Sequence, residues 1–350
     1  TNALNQAIVH TLAETSRYYL LGWHLGNRAD SARKRSTISV GIRGRPDLTV
    51  RLRRGSLDLA LLSQDLRDGG TKTTERREPS PDQLIETIKA PYPRRESGAS
   101  LYAASMHEAN LGWRLTIALQ VESAKLVYAE DHGERKAVVD IFGLVMNESG
   151  VSVASFRQRL TAKQKSSAEP PPDISYSRVV AIEPGVFQVR VAMRDVATGA
   201  VGSTYQWIEV PVFAPGHLCL SSIFLSEPPS RAKPGVAPAA DSSRFDLNVT
   251  RRYPAASQLS FVVQIYNGTC RTETSPPEIA VSMRLYRGNQ VVLDTPPRSI
   301  DTSGSDRSRI SYGAEVMLEH LPPGLYTFEI TAQDQIAKTS AAQQIALTIQ

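Results

Sequence analysis

From about residue 100 to the end of the chain, apolar and polar residues alternate over several short stretches. In 187–193 and again in 326–332 every second residue is apolar, which is the period of a strand that buries one face. Residues 2–17 follow a different pattern, with apolar residues four apart, as on one side of an amphipathic helix. The chain is therefore predicted to be mainly β, with a smaller helical element near its start.

The first part of the chain has the pattern of an incomplete α/β segment. After the helix at 2–17, residues 18–23 are apolar on both faces, as in a strand covered on both sides by other layers. Residues 38–52 then alternate around a turn that contains Gly and Pro, which predicts a hairpin. A Ser-Pro pair introduces a short helix over 82–90. We predict a partial α/β segment over 1–67 and a connector with this helix over 68–99.

Two distant parts of the chain repeat each other. Pro184–Asp195 matches Pro323–Asp334 at a constant offset of 139, and 115–121 resembles 259–265 at an offset of 144. Each copy has the length of an immunoglobulin-like sandwich and its pattern of several short strands. We predict two tandem immunoglobulin-like β-sandwiches, over 100–225 and 244–350, joined by a semi-rigid Pro-rich linker over 226–243.

The composition is that of a folded protein. The chain has 350 residues, of which 41% are hydrophobic and 21% charged, too apolar for a disordered protein. No stretch reaches the roughly 18 apolar residues that cross a bilayer, so no transmembrane segment is expected. The formal net charge is +5, and residues 28–54 carry nine basic residues against two acidic ones. One local basic region indicates a contact surface or a solvated strand face rather than a general affinity for nucleic acid.

Three arginines of this region, Arg43, Arg51 and Arg53, fall on the polar face of the predicted hairpin, and we call them the basic stripe. The simplest interpretation is a solvated strand face. Docking to an acidic protein or an anionic lipid surface stays open, and so does binding of an acidic glycan. Nucleic acid is the weakest interpretation, because aromatic residues are not interleaved with the arginines as stacking on bases would require.

The residues Ser16–Trp23 and the basic hairpin ending in Val50–Gly55 resemble the acidobacterial proteins related to von Willebrand factor A. In that family these motifs close the A-type domain, and the short helix and the Pro-Gly-aromatic strings resemble the β-rich region that follows it. The resemblance implies a secreted or envelope location and an adhesive or scaffolding role, without a settled activity. It also implies a divalent-cation site, but the start of the A-type domain, which holds the Asp-x-Ser-x-Ser turn, is not part of this sequence.

Asp301–Ser305 matches the Asp-x-Ser-x-Ser pattern of that turn, but the sequence around it differs. It follows a Pro-rich stretch rather than a hydrophobic strand, and too few residues follow it to build the domain. We therefore expect a surface loop, and no metal or other cofactor is predicted. Asp195 and Asp334 recur at the same place in the two copies. Calcium ligation is open for them, but a hairpin turn is favoured because Asp195 precedes Ala-Thr-Gly.

The sequence contains no recognised catalytic motif. Its six histidines are scattered without metal-ligand spacing, and nucleophile-elbow, phosphate-loop and dinucleotide-binding motifs do not occur. We therefore predict that the protein is not an enzyme. Acidic residues far apart in sequence cannot be paired without a structure. The alternative to a non-catalytic protein therefore stays open: a secreted carbohydrate-active enzyme or other hydrolase, with acidic residues brought together at a site between the sandwiches.

Three residues of the predicted sandwiches are candidates for other roles. Trp207 falls on the face opposite Ile208 and Val210, where a large aromatic side chain can anchor a protein contact or be covered by a neighbouring loop. Cys219 and Cys270 are expected either as free thiols or as a disulfide. The disulfide would fix the orientation of the two sandwiches in an oxidising compartment.

These features together predict a non-catalytic extracytoplasmic protein, periplasmic, secreted or at the cell surface, whose tandem sandwiches bind other proteins as a scaffold. One version of the prediction is an accessory subunit with a fixed partner in a larger envelope or membrane complex. The expected mechanism is rigid display, in which the cores bury the apolar strand faces and the edges, loops and outer aromatic residues remain for binding.

Overall fold

β-Strands form most of the chain in the computed structural model, which describes residues 82–90, 93–94, 98–131, 134–164, 171–226, 247–272, 274–303, 305–306 and 308–350. The helix α1 comprises Asp82–Lys89, where the sequence predicts 82–90. The α/β segment predicted over 1–67 lies outside the described residues. Among the helices that are described, none is long and apolar enough to span a bilayer.

Two sheets form the first sandwich. Its strands are β1 (Ala99–Glu108), β2 (Gly112–Val121), β3 (Ala129–Asp131), β4 (Glu134–Asn147), β5 (Ser152–Gln164), β6 (Ile174–Ala181), β7 (Gly185–Asp195) and β8 (Val201–Val210). Sheet A has the order β1-β2-β6, and sheet B has the order β3-β4-β7-β8 with β5 also paired to β4. The facing sides of both sheets share one core, which includes Leu115, Ile117, Val139 and Val189.

Two further sheets form the second sandwich. Its strands are β9 (Cys219–Leu220), β10 (Phe224–Ser226), β11 (Arg252–Tyr253), β12 (Gln258–Tyr266), β13 (Ile279–Arg287), β14 (Gln290–Asp294), β15 (Arg298–Ser299), β16 (Arg309–Met317), β17 (Gly324–Asp334) and β18 (Ser340–Ile349). Sheet C has the order β10-β12-β16 with β9 also on β12, and sheet D has the order β11-β18-β17-β13-β14 with β15 also on β13. Phe261, Val281, Tyr326 and Phe328 lie in the core between them.

The two sandwiches repeat the same strand order. β7 and β17 begin at Gly185 and Gly324, 139 residues apart, and both contain the alternation seen in the sequence. The order β1-β2-β6 in sheet A corresponds to β10-β12-β16 in sheet C, and β4-β7-β8 corresponds to β13-β17-β18. The predicted fold class, a mainly β chain with two tandem immunoglobulin-like sandwiches, is confirmed in the described part of the chain.

One predicted domain boundary is wrong. β9 and β10 precede the Pro-rich segment 226–243 in the chain, yet both pair with β12 and belong to the second sandwich. The second sandwich therefore begins at Cys219, and the prolines fall between two of its strands instead of separating the two sandwiches. Proline marks a place where a strand cannot continue, but it does not reveal whether that place lies within a domain or between two domains.

Helix α1 covers part of the outer face of sheet B. Leu84 and Ile88, four residues apart on the helix, pack against Phe142, Leu144 and Ala192 in a small third core. Ile88 is 1% exposed, and burying a side chain of this size stabilises the fold by about 1.5–3 kcal/mol. The helix therefore shields a sheet face that would otherwise expose four apolar side chains, including Met146, to water.

Candidate functional site

The junction of the two sandwiches is built on the edge strand β1. Every second residue of an edge strand turns its main-chain groups away from the neighbouring strand. At Ala103 these groups bond the Gln206 side chain of β8, whose Oε1 accepts from the amide at 3.0 Å and whose Nε2 donates to the carbonyl at 2.8 Å. At Ser105 the amide donates to Ser222 Oγ and the carbonyl accepts from the Ser222 amide, both at 2.9 Å. Ser222 belongs to the second sandwich.

The third outward position of β1 lies in an aromatic cluster. The Tyr266 hydroxyl of β12 accepts from the His107 amide at 3.0 Å and donates to the His107 carbonyl at 3.1 Å. The His107 ring stacks on Phe213 with centroids 3.9 Å apart, and Trp113 and Tyr266 meet it edge-on. Burial lowers the pKa of His107 and raises that of the Tyr266 hydroxyl, so both are uncharged at neutral pH.

The chain segment after β9 connects the two sandwiches through hydrogen bonds. The Ser221 amide donates to the Gln264 carbonyl of β12, and the Gln264 amide donates to Ser221 Oγ, both at 2.9 Å. The next residue, Ser222, bonds Ser105 of β1 on its other side. Sheet A and sheet C are therefore linked through the main-chain groups and hydroxyls of Ser221 and Ser222, which restricts rotation of one sandwich against the other.

Tyr102 fixes the same segment from the outer face of sheet A. It is fully buried, and its hydroxyl donates to the Ile223 carbonyl at 2.5 Å and accepts from the Leu225 amide at 3.1 Å. The Arg251 guanidinium lies over the Tyr102 ring, 5.4 Å from its centroid, and donates to Gln206 Oε1 at 2.8 Å. Burial raises the pKa of Tyr102 far above its usual value, against the opposing effects of the Leu225 amide and the Arg251 charge.

The side chains at the junction are those of a contact that holds the two sandwiches together. The polar side chains described at the junction are amides, hydroxyls and a guanidinium, with an ion pair between Arg252 and Glu122 at 3.8 Å; aromatic rings and apolar side chains of sheet A, such as Ala104, pack beside them. General acid–base hydrolysis of a glycoside needs two facing carboxylates. The described side chains that cross the junction do not include such a pair.

Trp207 lies on the outer face of sheet B, where β8 places it opposite Gln188 of β7. Its exposed fraction is 36%, whereas Ile208 and Val210 on the other face of the strand are buried. The exposed part of Trp207 is the portion of the side chain that an incoming protein could cover. Its role as a contact anchor stays a prediction.

Arg190 connects this face to the end of α1. Its Nη1 donates to the carbonyls of Ile88 and Ala90 at 2.8 and 3.1 Å, and its Nε donates to Gln188 Oε1 at 2.7 Å. A cation at a helix C-terminus meets carbonyl groups that have no partner within the helix. Burial lowers the pKa of Arg190, but a guanidinium titrates so high that it keeps its charge at neutral pH. Arg190 is therefore a structural cation that fixes the helix on the sheet.

A second buried charge cluster lies on the same face. Asp140 accepts from Arg194 Nη2 at 2.7 Å and from Arg159 Nε and Nη2 at 2.7 and 3.1 Å. Burial of Asp140 raises its pKa, but the hydrogen bonds and charges of the two arginines outweigh that effect and hold the pKa below its usual value. Asp140 is therefore ionised at neutral pH and balances the buried Arg194.

Several predicted sites lie outside the described residues. These are the basic stripe, Arg43, Arg51 and Arg53, and the two motifs Ser16–Trp23 and Val50–Gly55 that carry the family resemblance. Their contact roles stay predictions.

The two cysteines are free thiols in the structure. Cys219 is buried on β9, where its Sγ donates to the Leu220 carbonyl at 3.8 Å, and burial raises the pKa of the thiol to about 11. Cys270 is partly buried in the segment that follows β12. A thiol with so high a pKa is protonated at neutral pH and reacts slowly.

The Asp301–Ser305 segment forms a surface loop. Asp301 is exposed and accepts from the Ser303 amide at 2.9 Å and from its hydroxyl at 2.5 Å, while Thr302 Oγ1 donates to the Pro277 carbonyl at 2.6 Å. These bonds close a local turn and lower the pKa of Asp301. In the described part of the chain no group of three or more His, Cys, Asp or Glu residues could hold a metal ion.

Asp195 and Asp334 have the same structural role in the two sandwiches. Asp195 accepts from the Val127 amide at 3.1 Å and from the Ala197 amide at 2.8 Å. Asp334 accepts from the Thr269 amide at 2.7 Å and from two amides of its own turn. Each carboxylate bonds a hairpin turn to the segment that follows β2 in the first sandwich or its equivalent β12 in the second. The hairpin-turn interpretation of these residues is therefore the one that the geometry supports.

A cavity of about 240 Å³ lies beside α1, lined by Gln83, Glu86, Thr87, Arg94 and Val201. Glu86 forms an ion pair with Lys89 at 2.8 Å. Of these five lining residues, Glu86 alone has a carboxylate, so the lining does not bring two acidic groups together.

No protein-family model matches the chain, and the comparison with curated proteins finds no match either. Among solved structures, the fibronectin(III)-like modules of Clostridium thermocellum CbhA align over 67% of this chain and 84% of theirs, at 9% identity and a TM-score of 0.18. An ectodomain fragment of ICAM-5 aligns over 75% of this chain and 70% of its own, at 9% identity and a TM-score of 0.21. A calcium-binding mutant of Bacteroides uniformis beta-glucuronidase 2 aligns over 74% of this chain and 28% of its own, at 13% identity and a TM-score of 0.23.

These similarities identify no family, and the fold class rests on the sheet order described above. The chain is a tandem immunoglobulin-like β-sandwich protein.

Sequence reasoning missed the residues that build the junction. Gln206, Ser222 and Tyr266 are ordinary strand or loop residues in the sequence, and their partners on β1 are more than 100 positions away. A side chain that bonds a distant main chain leaves no pattern in a single sequence.

Proposed function

We propose that this chain is a non-catalytic extracytoplasmic scaffold, which presents the outer surfaces of two rigidly joined sandwiches to other proteins. The observation that carries the proposal is the capping of β1, where Ala103, Ser105 and His107 have their outward main-chain groups bonded across or beside the junction. Flexible tandem domains are the usual expectation unless the interface is extensive. A fixed angle between two sandwiches suits a protein that holds its partners in a defined geometry.

The proposed contact residue on the first sandwich is Trp207. A partly exposed tryptophan on a strand whose other face is buried at Ile208 and Val210 is the kind of anchor that dominates binding at protein interfaces. The extracytoplasmic location is supported by the family resemblance of Ser16–Trp23 and Val50–Gly55. An accessory subunit of a larger envelope complex is the version of this proposal in which the partner is permanent.

The contact role of Trp207 is tested by photocrosslinking with the full chain. A photoreactive amino acid is placed at position 207, and at Leu325 of the second sandwich as the matched exposed control. Both proteins are illuminated in the extracytoplasmic fraction of the source cells. We expect one discrete protein adduct at 207 that excess wild-type chain suppresses and excess Trp207→Ser does not. Equal, unsuppressed labelling at both positions would refute the role.

The rigidity is tested by loosening the junction. The variant Gln206→Ala with Ser222→Ala removes the side chains that cap Ala103 and Ser105 while leaving both cores intact. We expect small-angle scattering of the wild type to fit one arrangement of the sandwiches and that of the variant to require several. We also expect the adduct at position 207 to weaken if partners contact both sandwiches. Identical scattering from both proteins would contradict the proposal.

The enzymatic alternative is tested separately. The full chain is incubated with a panel of synthetic and natural glycosides, and release of reducing sugar is measured against protein concentration. Turnover that scales with protein concentration would overturn the non-catalytic proposal.

A further inference from the structure

The strand β16 is the exposed edge of sheet C. Among the described strands it pairs with β12 alone, over all nine of its residues. The residues on its outer face are all exposed: Arg309, Ser311, Gly313, Glu315 and Met317. The outer face of β16 is therefore open to water along the whole strand.

The main chain of β16 points alternately toward and away from β12. The Leu318 amide, one residue beyond the strand, donates to the Ser257 carbonyl at 2.9 Å on the β12 side. Alternation then directs the even-numbered residues to β12 and the odd-numbered residues outward. Arg309 uses its outward amide for the Asp306 carbonyl at 2.9 Å. Within the described chain, the outward groups of Ser311, Gly313 and Glu315 have no comparable main-chain partner.

This edge lacks most of the devices that block strand addition, and charged side chains are present only at Arg309 and Glu315. Natural edge strands are protected by proline, by lysine, by bulges or by short length. β16 has nine regular residues, no proline and no lysine, and its register with β12 is unbroken. The edge of β1 is capped by side chains, whereas that of β16 offers a row of donors and acceptors.

The charges on β16 make the strand complementary to itself. Arg309 and Glu315 lie on its outer face at opposite ends, and neither forms an ion pair with another described residue. The Gln258 side chain donates to one oxygen of Glu315, which leaves the second oxygen for another partner. When a strand with a positive and a negative end meets its own copy antiparallel, each charge faces its opposite.

We infer that β16 pairs antiparallel with β16 of a second copy of this chain, with Tyr312 at the centre of the pairing. In this register Ser311 faces Gly313 of the second copy, and Arg309 faces its Glu315, so that two symmetric ion pairs close the ends. A register centred on Gly313 would instead place Arg309 opposite Met317 and lose both ion pairs. Charge therefore selects the first register, and the two-fold symmetry closes the assembly at a dimer.

The strength of this dimer follows from its size. A single pair of edge strands is a small interface, in the class of weak and reversible contacts. We therefore expect a dissociation constant on the order of 10–100 µM. This dimer is independent of the scaffold role proposed above, because it uses the second sandwich and not Trp207.

The experiment measures the mass of the full chain by sedimentation velocity from about 1 µM to about 300 µM, which brackets weak interfaces. We expect reversible dimerisation of the wild type. Arg309→Glu and Glu315→Arg each place like charges opposite each other at both ends, and we expect the dissociation constant to rise at least about tenfold. An equimolar mixture of the two variants restores opposite charges in the heterodimer, so it should dimerise as the wild type does.

A matched control separates this surface from general charge effects. Glu209→Arg changes an exposed residue of β8 in the first sandwich and should dimerise like the wild type. Circular dichroism and the melting temperature check that each variant is folded. A wild type that stays monomeric at the highest concentration overturns the proposal. So does a dimer that both single variants retain, or a variant mixture that stays monomeric. If the wild type is monomeric but binds extended peptides through β16, the edge accepts another partner and the second copy is excluded.

Discussion

The hydroxyl of Tyr102 offers a sharp test of how the two sandwiches are joined. The variant Tyr102→Phe keeps the buried ring and the Arg251 guanidinium above it, and removes a single oxygen atom. The hydroxyl donates a hydrogen bond to the Ile223 carbonyl at 2.5 Å and accepts one from the Leu225 amide at 3.1 Å. Both partners are main-chain groups of the segment that enters the second sandwich, and the Tyr102 side chain that bonds them is fully buried.

The expected cost follows from those two contacts. Leaving a buried main-chain donor or acceptor without a partner costs about 1–3 kcal/mol. Because the substitution leaves one donor and one acceptor without a partner, we expect the free energy of unfolding to fall by about 2–6 kcal/mol. The lost volume adds little, since phenylalanine fills the same cavity apart from the oxygen.

Urea denaturation followed by tryptophan fluorescence and by circular dichroism measures this loss. Two probes are needed because a chain with two sandwiches need not unfold in a single step. Tyr312→Phe is the matched control, since that half-buried hydroxyl makes no hydrogen bond with a described residue. We expect the control to stay within about 0.5 kcal/mol of the wild type. A Tyr102→Phe variant that is as stable as the control would show that the hydroxyl does not secure the junction.

Three further results are expected. Ile88→Ala should destabilise the fold by about 2–5 kcal/mol in urea, because it leaves a cavity beneath α1; a loss below about 0.5 kcal/mol would show that the helix is not docked. Asp140→Asn should cost about 3 kcal/mol at neutral pH, since the buried Arg194 loses its countercharge. The wild type should lose the same contribution as pH falls below the unfolded pKa of 3.8 and through the lower folded pKa, so the difference between the two proteins should shrink in acid; a difference that persists unchanged at low pH would contradict this. A thiol reagent should modify Cys270 before Cys219, whose pKa is about 11, and intact mass should not change on reduction; a gain of two hydrogens would show a disulfide.

The parts of the fold that the sequence predicts are those with a local signal. β7 and β17 alternate strictly because one face of each is buried, and the same period is visible in the chain. β9 and β10 have two and three residues, too few for any period to appear. The sequence therefore predicts that the second sandwich starts at residue 244, after the prolines, whereas the structure has its first strand at Cys219.

The candidate surfaces differ in the same way. Trp207 could be assigned to the outer face because its neighbours Ile208 and Val210 define the inner one. The capping of β1 by Gln206 and Tyr266 could not be predicted, because it depends on which distant strand lies beside which edge. Such contacts become visible only when the sheet order is known.

The comparison of equivalent edges shows why duplication has not produced two identical surfaces. β6 and β16 occupy the same place in their sheets. In the first sandwich the long strand β5 comes close to β6, where Phe156 stacks on Tyr176 at 5.7 Å and the Arg178 guanidinium lies over Phe156. In the second sandwich β14 takes the place of β5 with five residues instead of thirteen. The strand that corresponds to β5 is therefore much shorter in the second sandwich than in the first. The pairing proposed for β16 is therefore not expected of β6, because β5 lies close to that strand.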